Sequence, residues 1–261
     1  MLRANGVTYS IGQKELLSDV TVAFEPGQLN LVIGPNGAGK STLIKVLARL
    51  LRPQFGSVAY DGNDAATMKD IDLAKRRAVL SQAIEVAFPL STREVVMMGR
   101  YPHFGGRPGP IDERITDEMM EFFDVSEFSG RDYQTLSGGE RQRVNFARVL
   151  AQLWRTDDTK GPCRYLFLDE PLTFLDVGHQ IEFMKKVREF AAADDVVTVG
   201  VVHDLNLAAR FADQIILLDE GQVVAVGTAT EVLTVERIRE VFAVEPTFVP
   251  VEGSDIHLIF N

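Results

Sequence analysis

The sequence predicts an α/β protein with a mostly parallel core sheet, a small antiparallel sheet on one side, and a helical unit inserted into the middle. Three observations carry that expectation. Short, strongly apolar runs alternate with amphipathic helical stretches, the pattern of a parallel sheet covered on both faces. Alternating segments bounded by turn residues occur near the start. From about residue 85 to 149 the strand-like runs give way to helical patterns separated by the Gly/Pro-rich loop "GRYPHFGGRPGP". At 261 residues the chain is read as a single domain, 1–261, with its core and antiparallel part in 1–84 and 155–261 and its insert in 85–154.

The elements follow in chain order. "GVTYSIG" (6–12) alternates in polarity, and "GSVAYDG" (56–62) is a strand bounded by turn residues, so the two predict the small antiparallel sheet. "LNLVIG" (29–34) is too apolar for a half-exposed strand and reads as a buried one. "KSTLIKVLARLL" (40–51) has apolar residues at helical spacing and is expected to run to Arg52-Pro53. "DERITDEMMEFFDV" (112–125) predicts a helix of the insert. Strands return at "YLFLD" (165–169) and "VVTVGVVHD" (196–204), with the helical "HQIEFMKKVREFAAA" between them. "QIILLDEGQVVAVG" (214–227) turns over at Glu220-Gly221 as a hairpin.

Composition narrows the class. Hydrophobic residues make up 46% and charged residues 25%, as in a soluble globular protein with a sizeable core. A formal net charge of −10 argues against a chain built to wrap nucleic acid, and against direct adsorption to an anionic membrane surface. The single cysteine, Cys163, has no partner for an internal disulfide and fits a reducing compartment. Polar residues stand where a leader's apolar segment would run, so no signal peptide is expected.

"GPNGAGKST" (34–42) holds Gly34, Pro35, Asn36, Gly37, Ala38, Gly39, Lys40, Ser41 and Thr42 between a predicted strand and a predicted helix. This is the G-x-x-x-x-G-K-[ST] pattern in the context it requires. Glycines let the backbone curl until several N–H groups point into one concavity, and the following helix adds a partial positive charge, so the loop is suited to phosphate oxygens. Lys40 is placed to reach β- and γ-phosphates and the Ser41 hydroxyl to ligate Mg²⁺. "YLFLDEP" ends a buried strand on two adjacent carboxylates. Asp169 is expected to face that Mg²⁺, and Glu170 to polarise a water for attack on the γ-phosphate. "LSGGERQRV" (136–144) opens a helix. Ser137 and Glu140 form a capping box, and Gly138 and Gly139 leave the first N–H groups uncovered, a second anion site.

With these motifs in this order, the chain resembles the ATP-binding cassette (ABC) ATPases along essentially its whole length. The resemblance implies a P-loop NTPase fold with a RecA-like core, ATP and Mg²⁺ as ligands, and a head-to-tail homodimer. In such a dimer the phosphate loop of one copy and the Ser137–Gly139 turn of the other enclose each nucleotide. It also implies roles for four further residues: Tyr9 stacking on adenine, Gln82 sensing Mg²⁺ and the attacking water, Asp176 crossing the dimer interface, and His203 contacting the γ-phosphate. Where the family often has "SALD", this chain reads "TFLD", with Asp176 retained.

A cassette of this kind implies separate integral-membrane permease subunits docked on the helical insert, a periplasmic substrate-binding protein acting through them, and a place at the cytoplasmic face of the inner membrane. "FPLSTREVVMMGRYPHF" (88–104) and "HDLNLAARFADQIILLDEGQVVAVGT" resemble importers for iron chelates, vitamin B12 and haem. The long link at 154–164 resembles the haem members, placing haem ahead of siderophores and cobalamin. A soluble ABC ATPase acting on nucleic acid is the rival, and the acidic charge and compact spacing from Lys40 to Ser137 argue against it.

Overall fold

The apolar runs pair into sheets in the order their register permits. The computed structural model describes residues 1–81, 88–155, 161–173, 175–251 and 254–260; Gln82 and residues 156–160 of the long link lie outside them. In chain order the elements are β1 (Leu2–Ile11), β2 (Lys14–Phe24), β3 (Gln28–Ile33), α1 (Lys40–Leu47), β4 (Phe55–Tyr60), β5 (Asn63–Asp64), α2 (Asp70–Ala74) and β6 (Arg77–Leu80). Then come α3 (Thr92–Met97), α4 (Pro110–Phe122), α5 (Gly138–Leu153), β7 (Arg164–Leu168), α6 (Val177–Ala191), β8 (Val196–Val201) and α7 (Leu205–Phe211). The chain closes with β9 (Gln214–Asp219), β10 (Gln222–Gly227), α8 (Ala229–Val232), α9 (Val235–Phe242), β11 (Pro246–Val251) and β12 (Ser254–Phe260).

A six-stranded sheet runs β10-β9-β3-β8-β7-β6, parallel except for β10, which returns antiparallel beside β9. Beside it lies a four-stranded antiparallel sheet, β2-β1-β4-β5. The period of two along a strand divides the core into two layers. On β7, Tyr165 and Phe167 face the layer formed with α1 and the antiparallel sheet, whereas Leu166 and Leu168 face the layer shared with α5 and α6. Every residue of β8 is buried, as its nearly continuous apolar run, broken only by Thr198 and Gly200, leads one to expect.

Two expectations need correcting. The first helix stops at Leu47 rather than running to Arg52-Pro53. Arg49 takes a left-handed backbone (φ 54°), and its guanidinium donates to the carbonyls of Ala65 and Met68 and pairs with Asp70. That tertiary anchor outweighs the helical preference of "ARLL". The last 35 or so residues, for which no element was expected, form α8, α9 and the β11–β12 hairpin, with Val232, Ile238 and Leu258 buried in the core.

Between β6 and β7 the helices α3, α4 and α5 pack on one another around a buried ion pair. Arg100 Nε lies 3.1 Å from Asp112 Oδ1, and both side chains are about 95% shielded from solvent (5% and 6% exposed). Arg100 also donates to the Ala151 carbonyl of α5 at 2.7 Å, while Asp112 Oδ2 accepts the Gly109 N–H at 2.9 Å and so caps α4. One guanidinium and one carboxylate thereby join three segments. Removing a single partner leaves a buried uncompensated charge. Asp112→Ala is therefore expected to destabilise the fold by about 3–5 kcal/mol, and the double variant Arg100→Met/Asp112→Leu by clearly less than the sum of its singles, read from urea midpoints at constant slope.

Candidate functional site

Parallel register brings the 34–42 loop, Asp169, Glu170 and His203 to one edge of the sheet. Val32 of β3 lies opposite Val201 of β8, so Gly34 and His203 each follow two residues beyond a matched pair. Leu168 of β7 lies opposite Gly200, so Asp169 and Glu170 leave their strand at the same edge. Strand ends of this kind, in an open parallel sheet, are where ligands bind.

The loop between β3 and α1 is held by close backbone approaches that admit no side chain. A Cβ at Gly34 (φ 148°) would fall 1.9 Å from the Leu218 carbonyl oxygen, and one at Gly39 (φ 100°) would fall 2.4 Å from that of Leu16. Gly39 is also the N-cap of α1, where it makes no side-chain cap, so the first N–H groups of the helix face the loop. Asn36 and Gly37 are exposed at the tip, with Pro35, Ser41 and Thr42 half-buried at its flanks. Ala38 is buried and anchors the loop to the hairpin turn, its carbonyl accepting the Gly221 N–H at 3.0 Å.

Lys40 is buried, with Nζ donating to the carbonyls of Gly34 (2.9 Å) and Pro35 (2.8 Å). Burial lowers its pKa, and the negative charges of Glu170 and Asp169 pull the other way. The loop lysine and the carboxylates from β7 thus share one electrostatic neighbourhood. Asp169 is buried, and its Oδ1 has no hydrogen-bond partner among the described residues. A shielded carboxylate oxygen without a donor is an acceptor suited to a cation. No group of three or more His, Cys, Asp or Glu able to hold a metal by itself occurs among the described residues, so a cation here needs hydroxyl, phosphate or water oxygens as well.

Glu170 and His203 come together, Nε2 to Oε1 at 3.1 Å. Glu170 adopts a left-handed backbone (φ 53°), which turns its carboxylate away from the line of β7 toward β8. Leu172, Thr173, Gln180, Val202 and Leu207 join them in lining a cleft. Tyr9 lies on β1, half-buried against the layer under the antiparallel sheet.

Ser137, Gly138 and Gly139 open α5 on the insert. The capping box is formed, with the Ser137 N–H to Glu140 Oε2 at 2.7 Å and the Glu140 N–H to Ser137 Oγ at 3.3 Å. Ser137 and Gly138 are exposed, and no hydrogen bond joins this turn to the phosphate loop among the described residues. Asp176 caps α6 and also meets the His179 ring, Oδ2 to Nδ1 at 2.8 Å. Gln82 falls outside the described residues.

Two participants escaped sequence reasoning. The buried Gln142 on α5 donates to the Pro171 carbonyl at 2.7 Å, tying the insert's long helix to the segment that follows Glu170. A glutamine on the apolar face of an amphipathic helix was the available signal. His179 escaped too, although D-x-x-H at a helix start marks an N-cap with a reachable side chain.

Comparison with known proteins follows the same lines. The ABC transporter family profile matches residues 17–173, more than half of the chain. Hemin import ATP-binding protein HmuV of Chelativorans sp. (strain BNC1) is 44% identical over 242 residues, covering 93% of this chain and 91% of that protein. Its namesake from Rhizobium meliloti (strain 1021) is 40% identical over the same lengths. A bacterial ABC transporter cassette solved as a dimer is 26% identical with a TM-score of 0.74, covering 88% of this chain and 99% of that one; a second structure of it, in a post-hydrolysis state, carries ADP and Pi.

The loop geometry separates steric from conformational demand. Gly34→Ala meets both a strained backbone and the Leu218 carbonyl, and is expected to destabilise by more than about 2 kcal/mol. Gly37→Ala has a positive φ of 84° but open space around it, so about 1 kcal/mol is expected. Denaturant titration of the two variants side by side measures the difference.

Proposed function

The chain belongs to the ABC transporter family, and on that premise we propose that it is the ATP-hydrolysing subunit of an importer whose cargo is haem. The observation carrying the chemical part is the convergence of Lys40, Asp169, Glu170 and His203 on one sheet edge beside a phosphate-binding loop. The cargo rests on relatives named for hemin import that match more than nine-tenths of both lengths at 40–44% identity.

In this reading the triphosphate lies along residues 34–42, with its oxygens on the loop N–H groups and the start of α1, and Tyr9 stacks on adenine. Lys40 turns from the Gly34 and Pro35 carbonyls to the β- and γ-phosphates and offsets charge that develops there. Asp169, Ser41 and Gln82 are the residues we assign to Mg²⁺, which when bound supplies further charge neutralisation on those phosphates. The unpartnered buried oxygen of Asp169 supports that assignment. Glu170 orients the attacking water and accepts its proton. His203, 3.1 Å from Glu170, holds that carboxylate in place and presents its ring to the γ-phosphate.

A second copy completes the site. The Ser137–Gly139 turn of one copy, exposed at Ser137 and Gly138, is assigned to the γ-phosphate held by the other, and Asp176 to the seam between them. ATP then draws the two copies together, and its hydrolysis releases them. The 85–154 insert is the surface assigned to the permease, working with a periplasmic substrate-binding protein, and the 1–84 and 155–261 parts form the nucleotide-binding core. No helix among the described residues is long and apolar enough to cross a membrane, so the spanning part of the importer is assigned to separate permease subunits at whose cytoplasmic face this chain works.

Glu170→Gln is expected to retain ATP binding while turnover falls by about 10²–10⁴-fold, measured by nucleotide binding and phosphate release. Near-normal release would overturn the role of Glu170. With its permease in vesicles, ATP turnover is expected to rise when haem-loaded binding protein is added. A response to a ferric siderophore or cobalamin but not to haem would reassign the cargo.

A further inference from the structure

We infer that Asn206 is a positioning residue that makes the C-terminal β11–β12 hairpin a brace for the His203 corner of the site. His203 and Asp204 form the turn between β8 and α7, a helix of only seven residues. Asp204 caps that helix, its Oδ1 accepting the N–H groups of Asn206 (2.7 Å) and Leu207 (3.1 Å). The Asn206 side chain then leaves α7 for the hairpin. Its Oδ1 accepts the Leu258 N–H at 2.7 Å, and its Nδ2 donates to the Leu258 carbonyl at 3.0 Å.

Both polar groups of one amide thus meet both backbone groups of one strand residue. Leu258 pairs with Phe248 of β11 on its other side, so the Asn206 amide stands where a further strand would continue β12. The donor and acceptor directions of Leu258 fix which end of the amide is which. The anchor is rigid as well as directional. Leu258 is buried, in one apolar cluster with Leu205, Leu207, Ala208 and Phe211 of α7 and with Val232 and Ile238 of α8 and α9.

The chain of contacts is short: Leu258, the Asn206 amide, the Asn206 N–H, Asp204, and then His203 beside Glu170. A seven-residue helix has little stiffness of its own, so its entry turn takes its position from what holds its first residues. A strand at the far end of the sequence therefore sets where the histidine ring meets the carboxylate, and any displacement of the hairpin is passed to that pair. Misplacement on the scale of an ångström is enough to slow a reaction substantially without loss of substrate binding.

The inference rests on the reading of Glu170 and His203 given above, and the test separates the two. With wild-type protein in its permease complex, loss of turnover in Glu170→Gln first establishes that reading. In the same preparation Asn206→Ala is expected to lower kcat about tenfold, with KM for Mg-ATP within twofold and with an unchanged folded fraction by near-UV circular dichroism. Asn206→Asp keeps the acceptor for the Leu258 N–H but sets an oxygen against its carbonyl. It retains the side chain's shape should the alanine variant fold poorly, and a severalfold fall in kcat is expected from it. A kcat within twofold of wild type in a folded variant would overturn the inference. So would a fall in kcat matched by the loss of folded protein or by a parallel rise in KM. Full activity of Glu170→Gln would instead remove the reading on which the inference stands.

Discussion

Strand register in the central sheet is the constraint on which the rest of the structure depends. A parallel strand offers its side chains alternately to two faces, and slipping it by one residue would exchange them all. Here both faces of β3, β7 and β8 are buried, so such a slip would drive the Tyr165 and Phe167 side chains into space shaped for Leu166 and Leu168. The energy that enforces this comes from apolar burial spread over many residues. Its chemical result is local: the phosphate loop, the paired carboxylates and the histidine all emerge at one edge. The core brings these groups to one edge, and polar contacts such as His203 to Glu170 then set their fine placement.

The insert is attached with comparable economy. Arg100 and Asp112 join its helices, and Gln142 reaches across to the backbone just past Glu170. The helix that opens with Ser137 is therefore connected to the carboxylate segment by a buried hydrogen bond. The link is directional, because an amide donates along a fixed line.

Much of this was legible in the sequence, and the reasons differ by element. The buried strands could be read because their apolar runs are broken only by single polar residues such as Asn30 and Thr198, and the loop at 34–42 because glycine and lysine spacing reflects backbone demands that few other folds share. The early end of α1 could not be read, since "ARLL" is helical by propensity and the side chain that breaks it, Arg49, finds its partners at Ala65, Met68 and Asp70. The C-terminal hairpin was missed because β11 carries two prolines and β12 an aspartate near its start, and both gain much of their support from α7, α8 and α9. The approach of His203 to Glu170 follows from pairing between strands far apart in the chain, which local pattern cannot convey. Tyr9 stands on a strand and Ser137 at a helix start, as expected, and Asp176 caps α6; the roles proposed for them involve ligands and a second copy rather than contacts within one chain.

The left-handed backbone of Glu170 carries a consequence of its own. A residue with a side chain sits at φ 53° at a disadvantage of about 1 kcal/mol that glycine would not incur. Selection for heat tolerance alone would therefore drift toward losing this acid, and with it the proton acceptor proposed above, for a more comfortable turn. On the proposed role of Glu170, directed evolution of hardier forms must screen for work done as well as for survival.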